Sequence, residues 1–338
     1  MPKTRVAKYD NVKFLLIFLV VLGHFVERSD ASAAKSAFLF IYTFHMPAFI
    51  FISGLFSKST VNAPKLNWSK IIPYFYLFFI LNFLRKAVEA PFKEKFAFSV
   101  FKVGNISWFL LAIFAFYIIT FLIKNIDPKL ALIMAVLMGC IIGYTDTKDI
   151  LSVSRILAYY PFFLLGYYLP VEKVTEFTQR KWVKVISVAV LVSLAAVCLF
   201  CLKDVYFIRP LLTGKNSYFK MEKFALWGGL IRLVYYFVCS AIICAVISVV
   251  PKRRLGFIST FGERTLGVYF WHLLIISVLF DLGVFENLAL LPTAAQMGIV
   301  FACAVALTLI LSLKVFSIPL NFILKPKPRN IEKQDIGT

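Results

Sequence analysis

Apolar runs long enough to cross a lipid bilayer, or nearly so, recur along the 338 residues and are separated by short polar stretches. In chain order they cover residues 12–26, 37–56, 71–84, 107–123, 130–144, 156–170, 184–202, 226–250, 265–282 and 296–316. A helix rises about 1.5 Å per residue and the hydrocarbon core is roughly 30 Å thick, so about twenty apolar residues span it. The pattern predicts an all-α, polytopic integral membrane protein of about ten transmembrane helices, with the third, fifth and sixth runs the short ones. There is no internal repeat, and no interval is long enough for a separate soluble domain. The longest interruption, 203–225, carries Lys203, Asp204, Arg209, Lys215, Lys220, Glu222 and Lys223. The expected division is a membrane domain over 1–324 and a basic cytoplasmic tail over 325–338.

Composition strengthens this reading. Apolar residues make up 61% of the chain and charged ones 16%, against roughly 45–50% and 25% in soluble domains. Lipid must solvate part of so much apolar surface. The net charge of +20 does not point to nucleic acid, because the basic residues stand in short groups between apolar runs and form no stripe with interleaved aromatics. Counted with the N-terminus inside, the inner segments hold 22 Lys/Arg and 7 Asp/Glu, the outer ones 15 and 10. That bias predicts both termini in the cytoplasm, and the basic outer loop at 85–102 works against it.

Lys3, Arg5 and Lys8, the run 14–26 and then Ala31-Ser32-Ala33 have the outline of a cleaved signal peptide. Gly23-His24 inside the run, with Glu27, Arg28 and Asp30 before the small residues, favours a retained first helix. All six cysteines lie in apolar runs and read as small core residues. Cys198 and Cys201 have C-x-x-C spacing without a second ligand pair, so no metal site is expected.

Only three histidines occur, His24, His45 and His272, and each falls in an apolar run. An ionisable group there is costly unless it faces the bundle interior, which makes each a functional candidate. Lys13 and His24 are eleven residues apart, three helical turns plus about 20°, so they share a face roughly 16 Å apart. By position along their runs His24 and His45 reach similar depth in the outer half, whereas His272 is expected nearer the cytoplasm. Gly54, after Ser53, permits close helix approach. Arg155 and Arg232 open the sixth and eighth runs on the outer side, and Trp108 opens the fourth. Each has an ordinary reading as well: Lys13 as a snorkelling cation, a lone histidine as an interhelical hydrogen bonder, Ser53 as packing, the arginines and Trp108 as interface anchors.

Taken in order, these residues resemble the acyltransferase-3 family of multi-pass membrane acyltransferases, in the branch similar to fucose 4-O-acetylases. Tyr9-Asp10-Asn11-Val12-Lys13, ending in Leu22-Gly23-His24, is similar to the family's opening block, with Lys13 where the family usually has Arg. Phe44-His45-Met46-Pro47 through Ser53-Gly54 resembles its second-helix block, and Trp108-Phe109-Leu110 a third. Arg155 with Phe162-Phe163-Leu164-Leu165-Gly166-Tyr167 resembles the sixth helix. Leu266-Gly267-Val268-Tyr269-Phe270-Trp271-His272 resembles the late one.

The resemblance implies transfer of an acetyl group from cytoplasmic acetyl-CoA to a hydroxyl of a cell-surface or capsular polysaccharide, or of a lipid-linked oligosaccharide, at a bacterial cytoplasmic membrane. On that reading His24 is the base or acyl acceptor, and Lys13 with Asp10 orients the carrier. His45 and Arg155 shape the acceptor side, while Ser53 and His272 line the carrier side. Membrane lipid is the other partner, no metal is called for, and a homo-oligomer is left open. Some relatives carry an added hydrolase-like domain; this chain, ending at 338, is expected to act alone or to pass its acyl group to a partner. Two other classes compete: a transporter or flippase of an anionic or lipid-linked substrate, and a structural partner in a glycan-assembly complex.

Overall fold

The structure, a computed structural model, describes residues 6–92, 107–147 and 150–324. Each of the ten apolar runs forms a helix: α1 (Ala7–Val26), α2 (Ser32–Leu55), α3 (Trp68–Glu89), α4 (Trp108–Ile123), α5 (Pro128–Ile141), α6 (Val153–Tyr168), α7 (Lys181–Phe200), α8 (Gly228–Val249), α9 (Thr265–Asp281) and α10 (Thr293–Leu311). A further helix, α11 (Lys314–Leu324), leads to residues 325–338, so the basic tail expected there lies outside the described residues. Six stretches have the length and apolarity to cross a bilayer unaided: α1, α2, α3 with its extension to Phe92, α7, Tyr218–Val249 containing α8, and α10. α3 runs past its expected end at residue 84 because Arg85 and Lys86 pair with Glu89 one turn on, at 3.0 and 3.6 Å. Most of the outer loop expected at 85–102 lies beyond the described residues.

Burial sorts the helices into a centre and a rim. The apolar window of α2 is 83% buried and that of α1 61%, whereas α7 is 17% and α10 28% buried. The outward faces of α5 and α7 present Leu130, Ile133, Leu137, Val185, Val188 and Val192. Such surfaces are stable only against hydrocarbon, so the chain is an all-α polytopic membrane protein.

Small residues and freed backbone groups set the central packing. Gly54 of α2 lies on the Phe163 carbonyl of α6, and Gly166 of α6 lies on the Phe51 carbonyl of α2. A side chain at either position would occupy the space of the other helix's backbone. Pro47 inside α2 has no N–H for the Thr43 carbonyl one turn earlier. α8 supplies the missing donors, the Tyr235 hydroxyl at 3.0 Å and the Cys239 thiol at 3.2 Å. At the N-terminal end of α1, Asn11 donates to the carbonyls of Pro251 and Arg253 and accepts from Ser259. That ties the basic stretch Lys252-Arg253-Arg254 to α1. The three helices α1, α2 and α6 thus form the frame on which both ends of the site are built.

Candidate active site

Each end of the α1, α2 and α6 frame holds a cavity. At one end α1 brings His24 in its last turn, α2 brings Tyr42 and His45, α4 begins with Trp108, and α6 brings Arg155 and Tyr159. They wall a space of about 460 Å³, within the range of small-molecule sites. Arg209, Lys215, Asn216 and Lys220, from the segment between α7 and α8, close over it. The structure therefore brings together His24, expected as the base or acyl acceptor, with His45 and Arg155, expected on the acceptor side.

Nδ1 of each imidazole has a partner of its own. His24 Nδ1 stands 3.4 Å from a carboxylate oxygen of Glu27, three residues on, and the Tyr42 hydroxyl donates to that same oxygen at 3.0 Å. His45 and His272 direct Nδ1 to the Ile41 and Val268 carbonyls at 2.7 and 2.9 Å. A carbonyl only accepts, so Nδ1 of His45 and of His272 carries a proton and directs it to the backbone, while Glu27 faces Nδ1 of His24. Glu27 follows the last residue of α1. Burial works to raise its pKa, but the bonds from His24 and Tyr42 outweigh that and hold it down to about 2. Stability linked to this ionisation is complete above the ordinary value of 4.5 and is lost only as the pH falls toward 2. Glu27 therefore stays charged at any physiological pH and continues to orient His24.

His272 is placed differently from the sequence expectation. It is fully buried, its ring lies 5.4 Å from that of His24, and its Nε2 has no hydrogen-bond partner among the described residues. Counting from the start of the ninth run put it nearer the cytoplasm. In the fold, α9 packs directly on α1, and the two rings meet at one level behind the cavity wall.

The second cavity, about 530 Å³, lies at the other end of the same helices and is lined by Tyr9, Asp10, Lys13, Phe56, Lys58 and Glu172, among others. Lys13 pairs with Asp10 at 2.7 Å, and Lys58 donates to the Leu169 carbonyl at 3.0 Å. Lys13 and His24 are thus on one helix but in separate cavities, eleven residues apart. Ser53 lines neither. It sits on α2 between Met46, which borders the first cavity, and Phe56, which borders the second. Met46, Phe49, Ser53 and Phe56 follow at three- and four-residue spacing, so they form one stripe joining the two ends. The Ser53 hydroxyl donates to the Phe49 carbonyl at 2.9 Å.

Sequence reasoning missed Glu27, Tyr42, Tyr159 and the cations of the roof. Glu27 had a readable signal, since a carboxylate three residues after a histidine faces it on a helix. Arg209, Lys215 and Lys220 had none, because nothing in the spacing says that an interhelical segment folds back over a cavity.

Comparison with known proteins gives the family. The family model described as an acyltransferase domain matches residues 6–313. Nodulation protein NolL of Sinorhizobium fredii (strain NBRC 101917 / NGR234) is 31% identical over 183 residues, which cover 47% of each chain. NolL of Mesorhizobium japonicum (strain LMG 29417 / CECT 9101 / MAFF 303099) is 27% identical over 176 residues, 47% of this chain and 46% of its own. The chain spans about half the length of these curated relatives, and no solved structure matches it. The match covers the helices that carry both cavities, and the chain belongs to the acyltransferase-3 family.

Proposed function

We propose that the protein moves an acetyl group from acetyl-CoA, entering at the Lys13 end, to a sugar hydroxyl held at the His24 end. The observation that carries this reading is the division of labour along α1, with a cation-bearing cavity at one end and a carboxylate-oriented imidazole at the other. Acetyl-CoA is a cytoplasmic anion, and the excess of basic residues on the inner segments favours placing the Lys13 end there. The walls of that cavity are nearly charge-balanced, Lys13 and Lys58 against Asp10 and Glu172. The further positive charge at this end comes from Lys252-Arg253-Arg254, held against α1 by Asn11. Lys13 would meet a donor phosphate as a point charge and not as a bidentate fork.

The pantetheine arm would follow the α2 stripe past Ser53 and Phe49, a distance of about 15 Å for the ten residues from His45 to Leu55. At the far end the acceptor hydroxyl oxygen attacks the thioester carbonyl carbon. His24 Nε2 takes the hydroxyl proton as the C–O bond forms, and the Glu27 carboxylate stabilises the imidazolium. Collapse of the intermediate breaks the C–S bond, and the departing thiolate of CoA takes up the proton. Arg155, on the cavity wall, would stabilise the developing oxyanion. His45 bounds the acceptor, and His272 backs the His24 ring.

Purified protein in vesicles, given radiolabelled acetyl-CoA and a surface-glycan extract, should label the glycan in proportion to CoA released. Mass spectrometry of the surface polysaccharide with and without the protein should differ by acetyl units. A protein that moves the glycan or its lipid-linked precursor across the vesicle without acetylating it would overturn the reading.

A further inference from the structure

The segment between α7 and α8 uses its apolar residues for anchorage and its cations for the cavity. Leu211, Leu212, Tyr218 and Met221 are buried. Arg232 of α8, only 1% exposed, donates to the Leu211 carbonyl at 3.0 Å and to the Tyr218 hydroxyl at 3.3 Å. Tyr159, on the cavity wall, donates to the Leu212 carbonyl at 2.6 Å. Gly214 turns the chain at φ +63°, and a Cβ there would come within 2.8 Å of the Tyr159 ring. A left-handed turn this close to a side chain is open to glycine and little else. These bonds make the segment a fixed roof.

The roof presents Arg209, Lys215 and Lys220 to the cavity, and Arg155, 5% exposed, faces it from α6. Lys220 is held by Asn216, which is itself held by Thr213. The Arg209 guanidinium lies 5.1 Å from the Phe38 ring, which stacks on Tyr42 at 3.8 Å. Among the described residues Glu27 is the carboxylate of this lining, and it is engaged by His24 and Tyr42. Arg209 and Lys220 are exposed and Lys215 is half-buried, so together they make the mouth of this cavity positive and draw anions to it. The Lys13 cavity, by contrast, sets Asp10 and Glu172 against its two lysines.

We infer that the acceptor is an anionic saccharide, whose carboxylate or phosphate oxygens lie under Arg209, Lys215 and Lys220 while its hydroxyl meets His24. This rests on the acetyl-transfer reading above. Guanidinium and ammonium donors both suit oxyanions, and the planar Arg209 fork suits two oxygens at once.

The test is acetyl transfer by the full-length protein in vesicles to three matched acceptors: a neutral oligosaccharide, the same chain bearing a uronic acid, and the neutral chain on a polyprenyl diphosphate. The anionic acceptors should exceed the neutral one in kcat/KM by roughly tenfold or more, the worth of one charge-assisted contact. Lys215→Gln with Lys220→Gln, and separately Arg209→Gln, should erase that preference through acceptor KM and leave the KM for acetyl-CoA unchanged. Lys215→Arg should retain the preference. Preference for the uronic acid puts the anion on the glycan, and preference for the diphosphate puts it on the lipid anchor; either supports the inference. Equal use of all three acceptors overturns it, as does a rise in acetyl-CoA KM in the roof variants, which would give the roof to the donor's phosphates. Should Arg209→Gln fail to fold, the lysine pair alone decides. Failure of the parent protein to acetylate any acceptor contradicts the underlying reaction instead.

Discussion

The two ends of α1 carry similar kinds of residue in opposite arrangements. At the Lys13 end the lysine is neutralised by Asp10 one turn earlier and keeps 25% of its side chain exposed. At the His24 end the carboxylate is turned onto the imidazole, and three cations stand on a segment pinned through Arg232 and Tyr159. A charge that is paired and wet can exchange partners cheaply, which suits binding and release of a donor. A carboxylate turned onto an imidazole orients that ring toward whatever is brought to it, which suits the chemical step. A helix of twenty residues is long enough to keep these tasks about 16 Å apart.

The comparison breaks most completely if the frame itself is broken. Gly54→Leu would drive a side chain into the Phe163 carbonyl, and such overpacking costs about 1–3 kcal/mol or more. Little monodisperse protein should be recovered in detergent gel filtration, and both ends should fail together. His24→Gln should leave the fold intact and lower the transfer rate roughly 10²–10⁴-fold, the usual worth of general base catalysis. Acetyl-CoA binding, read by calorimetry, should be nearly unchanged in that variant. Glu27, held near pKa 2, should add no break to the pH–rate profile above about pH 4.

Glu27→Gln tests the dyad more finely. Losing a charged hydrogen bond worth about 1.5–3 kcal/mol should slow transfer roughly 10–150-fold, in kcat and not in donor affinity. Lys13→Ala should have the smallest effect, raising the apparent KM for acetyl-CoA by no more than about fivefold, as for a partly exposed ion pair. Lys13→Arg should retain affinity. A donor KM unmoved by Lys13→Ala would return that residue to ordinary snorkelling and leave the two ends without distinct tasks.

The helices were legible because lipid imposes one rule on every span, and all ten apolar runs are helical in the structure. Helix ends were less so: α3 continues through Arg85, Lys86 and Glu89 because those charges satisfy one another locally. Single-helix geometry put Lys13 and His24 on one helix, and both lie on α1. It misplaced His272 because depth counted along one helix ignores how that helix is offset against its neighbour. The roof was invisible for a related reason. Its cations are ordinary loop residues until Arg232, Tyr159 and Gly214 fold them over His24, contacts that join residues far apart in sequence.

Sealed vesicles with a single protein orientation separate the two ends most directly. Radiolabelled acetyl-CoA is supplied only on the side of the Lys13 cavity, and an acceptor oligosaccharide only on the side of the His24 cavity. Acetylated acceptor should form on the far side, with an equal amount of free CoA left on the donor side and neither product when His24 is Gln. Acetylation only when donor and acceptor share one side would contradict the division of tasks along α1.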